Sequence, residues 1–253
     1  MIIDTTYMPA TVRENLARRT STYGLLVQLA SDKNAYVRCE VAENLNTPPE
    51  VLAQLAEDED KDIRCGVALN ASTPSETVAK LAEDKEAYVR NGVTRNPNTP
   101  PEILAQLAQD EDSKVRQSVG WNLNTPPGIL AQLANEDNEY IRGSVAGNKN
   151  TPPDILMLFA QDKAWYVRRA MAHNGSTPPS VLAQLAQDKD DRVRQEVAGN
   201  SSAPSEILAQ LVDDANENVC RLVKKNPHTP TNLDQVPMPN AYNMSRTNTM
   251  EIS

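Results

Sequence analysis

The chain has 253 residues, 39% of them hydrophobic and 23% charged, with a formal net charge of −9. That excess of acid, without any Lys/Arg run, argues against a protein that grips nucleic-acid phosphates. Cys39, Cys65 and Cys220 are too few and too dispersed for a disulfide framework, and no apolar run reaches the roughly 18 residues a membrane span needs.

The opening MIIDTTYMPA has neither a basic flank nor an apolar core, so no secretory signal and a reducing, cytoplasmic setting are expected. Residues 1–17 are not a full unit. The segment from Thr11 to Ala17 parallels Tyr36 to Ala42 shifted by one residue, and reads as a lone helix capping the first stack. From residue 18 to 225 the chain repeats. Asn44, Asn70, Asn96, Asn122, Asn148, Asn174, Asn200 and Asn226 stand 26 apart without a slip. A fixed period of this size marks an array of stacked supersecondary units. With one Phe and almost no strand-like alternation, the expectation is an all-α solenoid of eight two-helix repeats. The first repeat, 18–43, lacks the double proline. The eighth, 200–225, decays, with Ala203 replacing a Thr and Cys220 an Arg. Residues 226–253 start a ninth repeat whose leucines never arrive, and read as a partial repeat with a flexible tail.

Residues 96–121 show how one unit is written. Thr99-Pro100-Pro101-Glu102 reads as a helix start, with Thr99 as N-cap, prolines in the first turn and Glu102 completing a capping box. Ile103, Leu104, Leu107 and Ala108 then form one apolar stripe, placing helix A at 100–109. After the acidic turn Asp110-Glu111-Asp112 comes a shorter helix B at about 113–120, α-helical or partly 3₁₀, with Val115 and Val119 facing inward. Asn122 follows as a stop that tolerates the left-handed region.

The phrase Asn-x-Asn-Thr-Pro-Pro-Glu-Ile-Leu-Ala-x-Leu-Ala-x-Asp, followed by Val-Arg-x-x-Val-Ala-x-Asn, resembles the leucine-rich repeat variant family of bacterial proteins over residues 18–225. The resemblance implies a right-handed superhelix similar to HEAT and armadillo arrays, short α-helices alternating with α- or 3₁₀-helices, and no reaction. It also brings to mind an amino-terminal iron–sulfur module. This chain has no cysteine before Cys39, so that group is not carried over and no cofactor is expected.

Three rows of residues deserve weighing as sites. Arg38, Arg64, Arg90, Arg116, Arg142, Arg168 and Arg194 follow acids by six residues, which reads as a structural ion-pair ladder rather than an anion track. The Asn row reads as helix stops rather than a ladder for a bound peptide. Helix B supplies the third row. A run of small residues from Gly66 to Ala170 points away from the core and floors a furrow walled by Tyr88, Arg95, Trp121, Tyr140, Trp165, Tyr166, Arg169 and His173. Such aromatics and arginines compose a protein- or peptide-binding surface; the competing reading packs the rings between repeats. Histidines number only two, and no catalytic or metal-ligating spacing appears, so a non-enzymatic, monomeric binding scaffold is expected. The alternatives are a HEAT-like lyase with a small-molecule pocket and a self-assembling array.

Overall fold

A computed structural model describes residue 5 and residues 7–230. The tail expected over 231–253 lies outside the described residues. Seventeen α-helices and no strand occur among the described residues. The chain divides into two compact units, one ending at Ile129 and the other beginning at Leu130.

The first unit holds α1 (Ala10–Arg19), α2 (Tyr23–Leu29), α3 (Ala35–Glu43), α4 (Pro49–Leu55), α5 (Lys61–Leu69), α6 (Ser75–Leu81), α7 (Ala87–Arg95), α8 (Pro101–Leu107) and α9 (Ser113–Trp121). Its B helices pack in succession: α1 on α3, α3 on α5, α5 on α7, α7 on α9. Each A helix sits against the B helices on either side of it in sequence, α4 against α3 and α5, for example. Leu104 and Leu107 from an A helix and Val115 and Val119 from a B helix are almost wholly buried, and every repeat buries an apolar residue at each of these positions. Each such Leu contributes about 2 kcal/mol of burial. An isolated seven-residue helix is not stable in water, so the stack holds its parts rather than the reverse.

Downstream, α10 (Pro127–Leu133) precedes α11 (Glu139–Gly147), α12 (Pro153–Leu158), α13 (Trp165–His173), α14 (Pro179–Leu185), α15 (Asp191–Gly199), α16 (Ser205–Gln210) and α17 (Glu217–Lys225). In the second unit α11 packs on α13, α13 on α15 and α15 on α17. One A helix there is unusual: α12 carries Met157 and Leu158, both exposed, where most other repeats place Ala-Gln, and Phe159 fills the core in place of Leu.

Several local expectations change. Helix A is the shorter partner, seven residues in α8 against nine in α9, whereas helix B takes the α form of the two expected for it. Thr99 is not an N-cap. Pro100 takes that position without a side-chain bond, and the buried Thr99 hydroxyl donates to the Val93 carbonyl at 2.5 Å. The reason is geometric: the second proline opens the helix at Pro101, leaving Thr99 two residues upstream, under the end of the preceding helix. Side-chain caps belong to helix B instead, where Asp112 accepts the Lys114 N–H at 2.7 Å.

Nor does the Asn row use the left-handed region. Asn96 has φ −72° and ψ 124°, and no described non-glycine residue has positive φ. Its amide instead joins repeats. The Asn96 Nδ2 donates to the carbonyls of Ala68 and Asn70, each at 2.9 Å, and its Oδ1 accepts the Asn98 N–H at 2.9 Å. Asn70 does the same with Ala42 and Asn44, and in the second unit Asn200 does so with Ala172 and Asn174. These amides are spent inside the fold.

The arginine row forms its ladder, with a partner one repeat on. Arg90 grips Asp110 through Nε at 2.6 Å and Nη2 at 2.8 Å while its Nη1 donates to the Asp84 carbonyl at 2.8 Å. The first unit repeats this at Arg38–Asp58 and Arg64–Asp84, the second at Arg142–Asp162, Arg168–Asp188 and Arg194–Asp214. Arg13 in α1 joins Asp32 in the same way. At the far end Cys220 replaces the arginine and its thiol meets the Asp214 carbonyl at 3.1 Å.

Small residues on helix B are packing residues, which corrects the furrow floor. Gly66, Gly92 and Ser144 are buried, while Ser118 and Ala170 are partly covered. A Cβ on Gly92 would lie 3.0 Å from the Ala68 Cβ and 3.1 Å from the Cys65 Sγ. Gly92→Val is therefore expected to destabilise the protein by about 2–3 kcal/mol through overpacking. Gly128→Ala, with nothing within 4 Å of the new carbon, gains roughly 0.5–1 kcal/mol of helix propensity. Urea unfolding of both variants checks the contrast.

Candidate functional site

In the first unit, α7 sets Tyr88 near its start and Arg95 at its end, two helical turns apart. The α9 helix ends on Trp121. Tyr88 is 55% exposed and Trp121 52%. Arg95 and Trp121 come together around a shallow recess of about 360 Å³, lined also by Pro97, Ser118 and Leu123. The Arg95 guanidinium makes no hydrogen bond or ion pair with any described residue, and it lies close enough to favour the Cys65 thiolate electrostatically. Burial is the larger influence there and pushes that thiol up. Cys39 is half-buried beside Glu43 and pushed up to about 12, so it is a poor nucleophile at neutral pH.

The second unit holds the remaining expected residues, in two groups. Tyr140 is 60% exposed and stacks on Tyr166, with ring centroids 5.4 Å apart and planes inclined by 18°. Trp165 meets Tyr166 edge-on at 5.9 Å, and the Arg192 guanidinium lies 3.4 Å over the Trp165 ring. Trp165 and Tyr166 are half-buried, so they are as much mortar between B helices as contact surface. The enclosed Tyr166 hydroxyl makes no well-aligned hydrogen bond, and burial first, then the nearby Glu139 carboxylate, pushes its ionisation up. Separately, Arg169 and His173 both turn to Glu196, at 2.7 Å from Arg169 Nη2 and 3.0 Å from His173 Nδ1. Neither is a spare cation.

Arg192 and Glu196 were absent from the expected set. Arg192 continues the row Tyr140, Tyr166 by one more period, so its place beside the rings was available from spacing alone. Nothing in the spacing marks Glu196 as the shared acceptor of Arg169 and His173. No cluster of three His, Cys, Asp or Glu side chains suited to a metal occurs among the described residues, and no described helix is long and apolar enough to cross a membrane.

Residues 36–60 and 88–112, each running from the start of helix B through the next helix A to the following turn, match the family described as leucine rich repeat variant. A solved leucine-rich repeat variant with a repetitive structural motif is 28% identical, covers 87% of this chain and 88% of its own, and superposes with a TM-score of 0.60. Both matched segments are leucine-rich variant repeats. An engineered protein at 17% identity, covering 86% of this chain and 84% of its own, reaches a TM-score of only 0.41. Computationally designed armadillo repeat proteins for modular peptide recognition reach 0.14 at 15% identity, covering 86% of this chain and 75% of their own. Neither likeness carries weight beside the first. No curated protein matches the chain. The chain is an all-α array of helix pairs in which ladder arginines and row asparagines are consumed by the fold, while the exposed rings of the B helices stand outside that framework.

Proposed function

We propose that the chain is a non-enzymatic repeat scaffold that holds a protein or peptide on its helix-B surfaces. The observation that carries this reading is the exposure of large rings at the ends of B helices: Tyr88 and Trp121 in the first unit and Tyr140 in the second. Scattered exposed apolar residues mean little, but two tyrosines at one repeated position, together with Trp121 beside the free guanidinium of Arg95, have the composition of an interaction hot spot. Arg169, His173, Trp165 and Tyr166 would then contribute as a rim, already oriented by Glu196 and by ring stacking. The repeat architecture supports this reading over a lyase, and among the described residues no nucleophile–base pair lines the recess at Arg95 and Trp121.

The test compares two surfaces in capture from a lysate of the source cell. Tyr88→Ala, Trp121→Ala and Tyr140→Ala combined should cut recovery of a specific partner at least tenfold, as loss of two or three hot-spot rings at 1–2 kcal/mol each requires. Gln54→Ala, Gln106→Ala and Gln184→Ala, on exposed helix-A faces, should leave recovery unchanged. Equal recovery by both triple variants would overturn the proposal.

A further inference from the structure

We infer that the recess between Arg95 and Trp121 takes an acidic side chain of a partner polypeptide together with the apolar side chain next to it. This rests on the scaffold reading above and assigns the chemistry of its ligand. The apolar half of the recess is the indole of Trp121 with Pro97 and Leu123, the last 54% exposed. At about 360 Å³ it sits near the bottom of the ~300–1,000 Å³ spanned by ligand pockets. That is room for one or two side chains and too little enclosure for a cofactor.

The polar half is decided by elimination. The Asn122 amide donates to the Thr94 carbonyl at 2.7 Å, and the Asn124 amide to the Pro97 carbonyl at 2.6 Å. Ser118 Oγ accepts the Asn91 amide at 2.7 Å, and the Thr94 hydroxyl donates to the Asn91 carbonyl at 2.7 Å. Even the Asn124 N–H is taken by Asn122 Oδ1, at 2.7 Å. The Trp121 indole N–H and the Ser118 hydroxyl keep a donor each, but Arg95 alone among the lining donors is charged, in a planar fork that matches a carboxylate. On a chain of net charge −9, whose ladder arginines are bound to aspartates, an unpaired guanidinium beside a half-exposed indole selects an anion with an apolar neighbour. A chain-terminal carboxylate is captured by a nest of free backbone N–H groups. Here the Asn122 and Asn124 N–H groups are already bonded, leaving the side chain of an internal Glu or Asp as the occupant.

The full-length protein is applied to immobilised internal peptides bearing Glu-Phe, Asp-Leu, Gln-Phe, Asn-Leu and phosphoserine-Phe cores in a Gly-Ser context, with a Phe-terminated free acid alongside. The acidic cores should be retained about fivefold or more over their amide isosteres, as expected for one partly screened, charge-assisted fork. Arg95→Gln should erase that discrimination, Arg95→Lys should keep part of it, and Trp121→Ala should weaken Glu-Phe and Gln-Phe binding alike. Equal retention of Glu-Phe and Gln-Phe, or preference for the phosphopeptide or the free acid, overturns the carboxylate assignment. If peptide binding still falls in Trp121→Ala, the scaffold reading survives that failure. Absence of binding to every peptide, with partner capture from lysate also indifferent to Trp121, sinks both.

Discussion

Replacing Asn96 with alanine destabilises the protein by about 3–4 kcal/mol, since two buried carbonyls and one N–H lose their partner at about 1–3 kcal/mol each, with partial relief from rearrangement. The side chain is wholly buried, and its bonds go to Ala68 and Asn70 of the preceding repeat and to the N–H of Asn98 in its own. No water can take over at that depth without opening the joint between repeats. The loss is a large share of the roughly 5–15 kcal/mol by which native proteins are stable. Asn96→Asp is at least as damaging. It preserves the acceptor for Asn98 but aims a carboxylate at two carbonyl oxygens where a donor stood. Asn98→Ala provides the control, because the Asn98 amide bonds to the Ala71 carbonyl in an exposed position and is worth at most about 0.5–1 kcal/mol. Urea unfolding followed by circular dichroism separates them. A cost for Asn96→Ala no larger than that for Asn98→Ala would show that the row merely ends helices and does not join repeats.

Why did spacing reveal the rows but not their partners? A periodic sequence states positions only modulo its period. Asp84 lies six residues before Arg90 and Asp110 lies twenty after it. Those two offsets differ by one repeat, so the sequence treats them as the same relation. The structure separates them: the Arg90 side chain grips Asp110, and Asp84 contributes only its backbone carbonyl. The same ambiguity hid the role of Gly92. A small residue on helix B reads equally as a furrow floor or as a helix–helix contact until the neighbouring helix is placed, and Ala68 lies against it. Helix pairing, all-α class and core stripes were legible because they depend on local periodicity. Thr99 was misread because a Thr-Pro-Pro-Glu start satisfies the capping pattern while the second proline moves the helix start downstream. Of the expected site residues, exposure at Tyr88, Trp121 and Tyr140 followed from the helix-B register. The stacking of Tyr166 and the capture of Arg169 and His173 by Glu196 depend on neighbours that no single repeat encodes.

The ladder makes stability acid-sensitive, and Asp110→Asn tests why. Burial on its own raises the carboxyl pKa of Asp110. The Arg90 fork, the Asp112 N–H and the charges of Arg90 and Arg116 together outweigh it, leaving the folded value below the ordinary 3.8. Asp58, Asp84, Asp162 and Asp188 are lowered against burial in the same way, and Asp214 chiefly by its bond to Arg194. A carboxyl whose folded value is depressed binds fewer protons folded than unfolded. Its stabilisation is therefore complete above the unfolded value and is lost as pH falls through the folded one. Stability should hold from neutrality down to about pH 5 and collapse below about pH 4, with several rungs protonating over one narrow range. Asp110→Asn keeps the oxygen that accepts the Asp112 N–H but removes the charge facing Arg90, which is only 8% exposed. A buried guanidinium stripped of its bidentate partner, with the exposed Glu111 carboxylate 3.6 Å away as partial compensation, costs about 3 kcal/mol at neutral pH. The gap between this variant and the parent should then narrow as pH drops below 3.8, because the parent loses the same charge by protonation. A gap that stayed constant from pH 7 to pH 2.5 would mean that Asp110 acts through its hydrogen bonds alone, and that charge has little part in holding one repeat to the next.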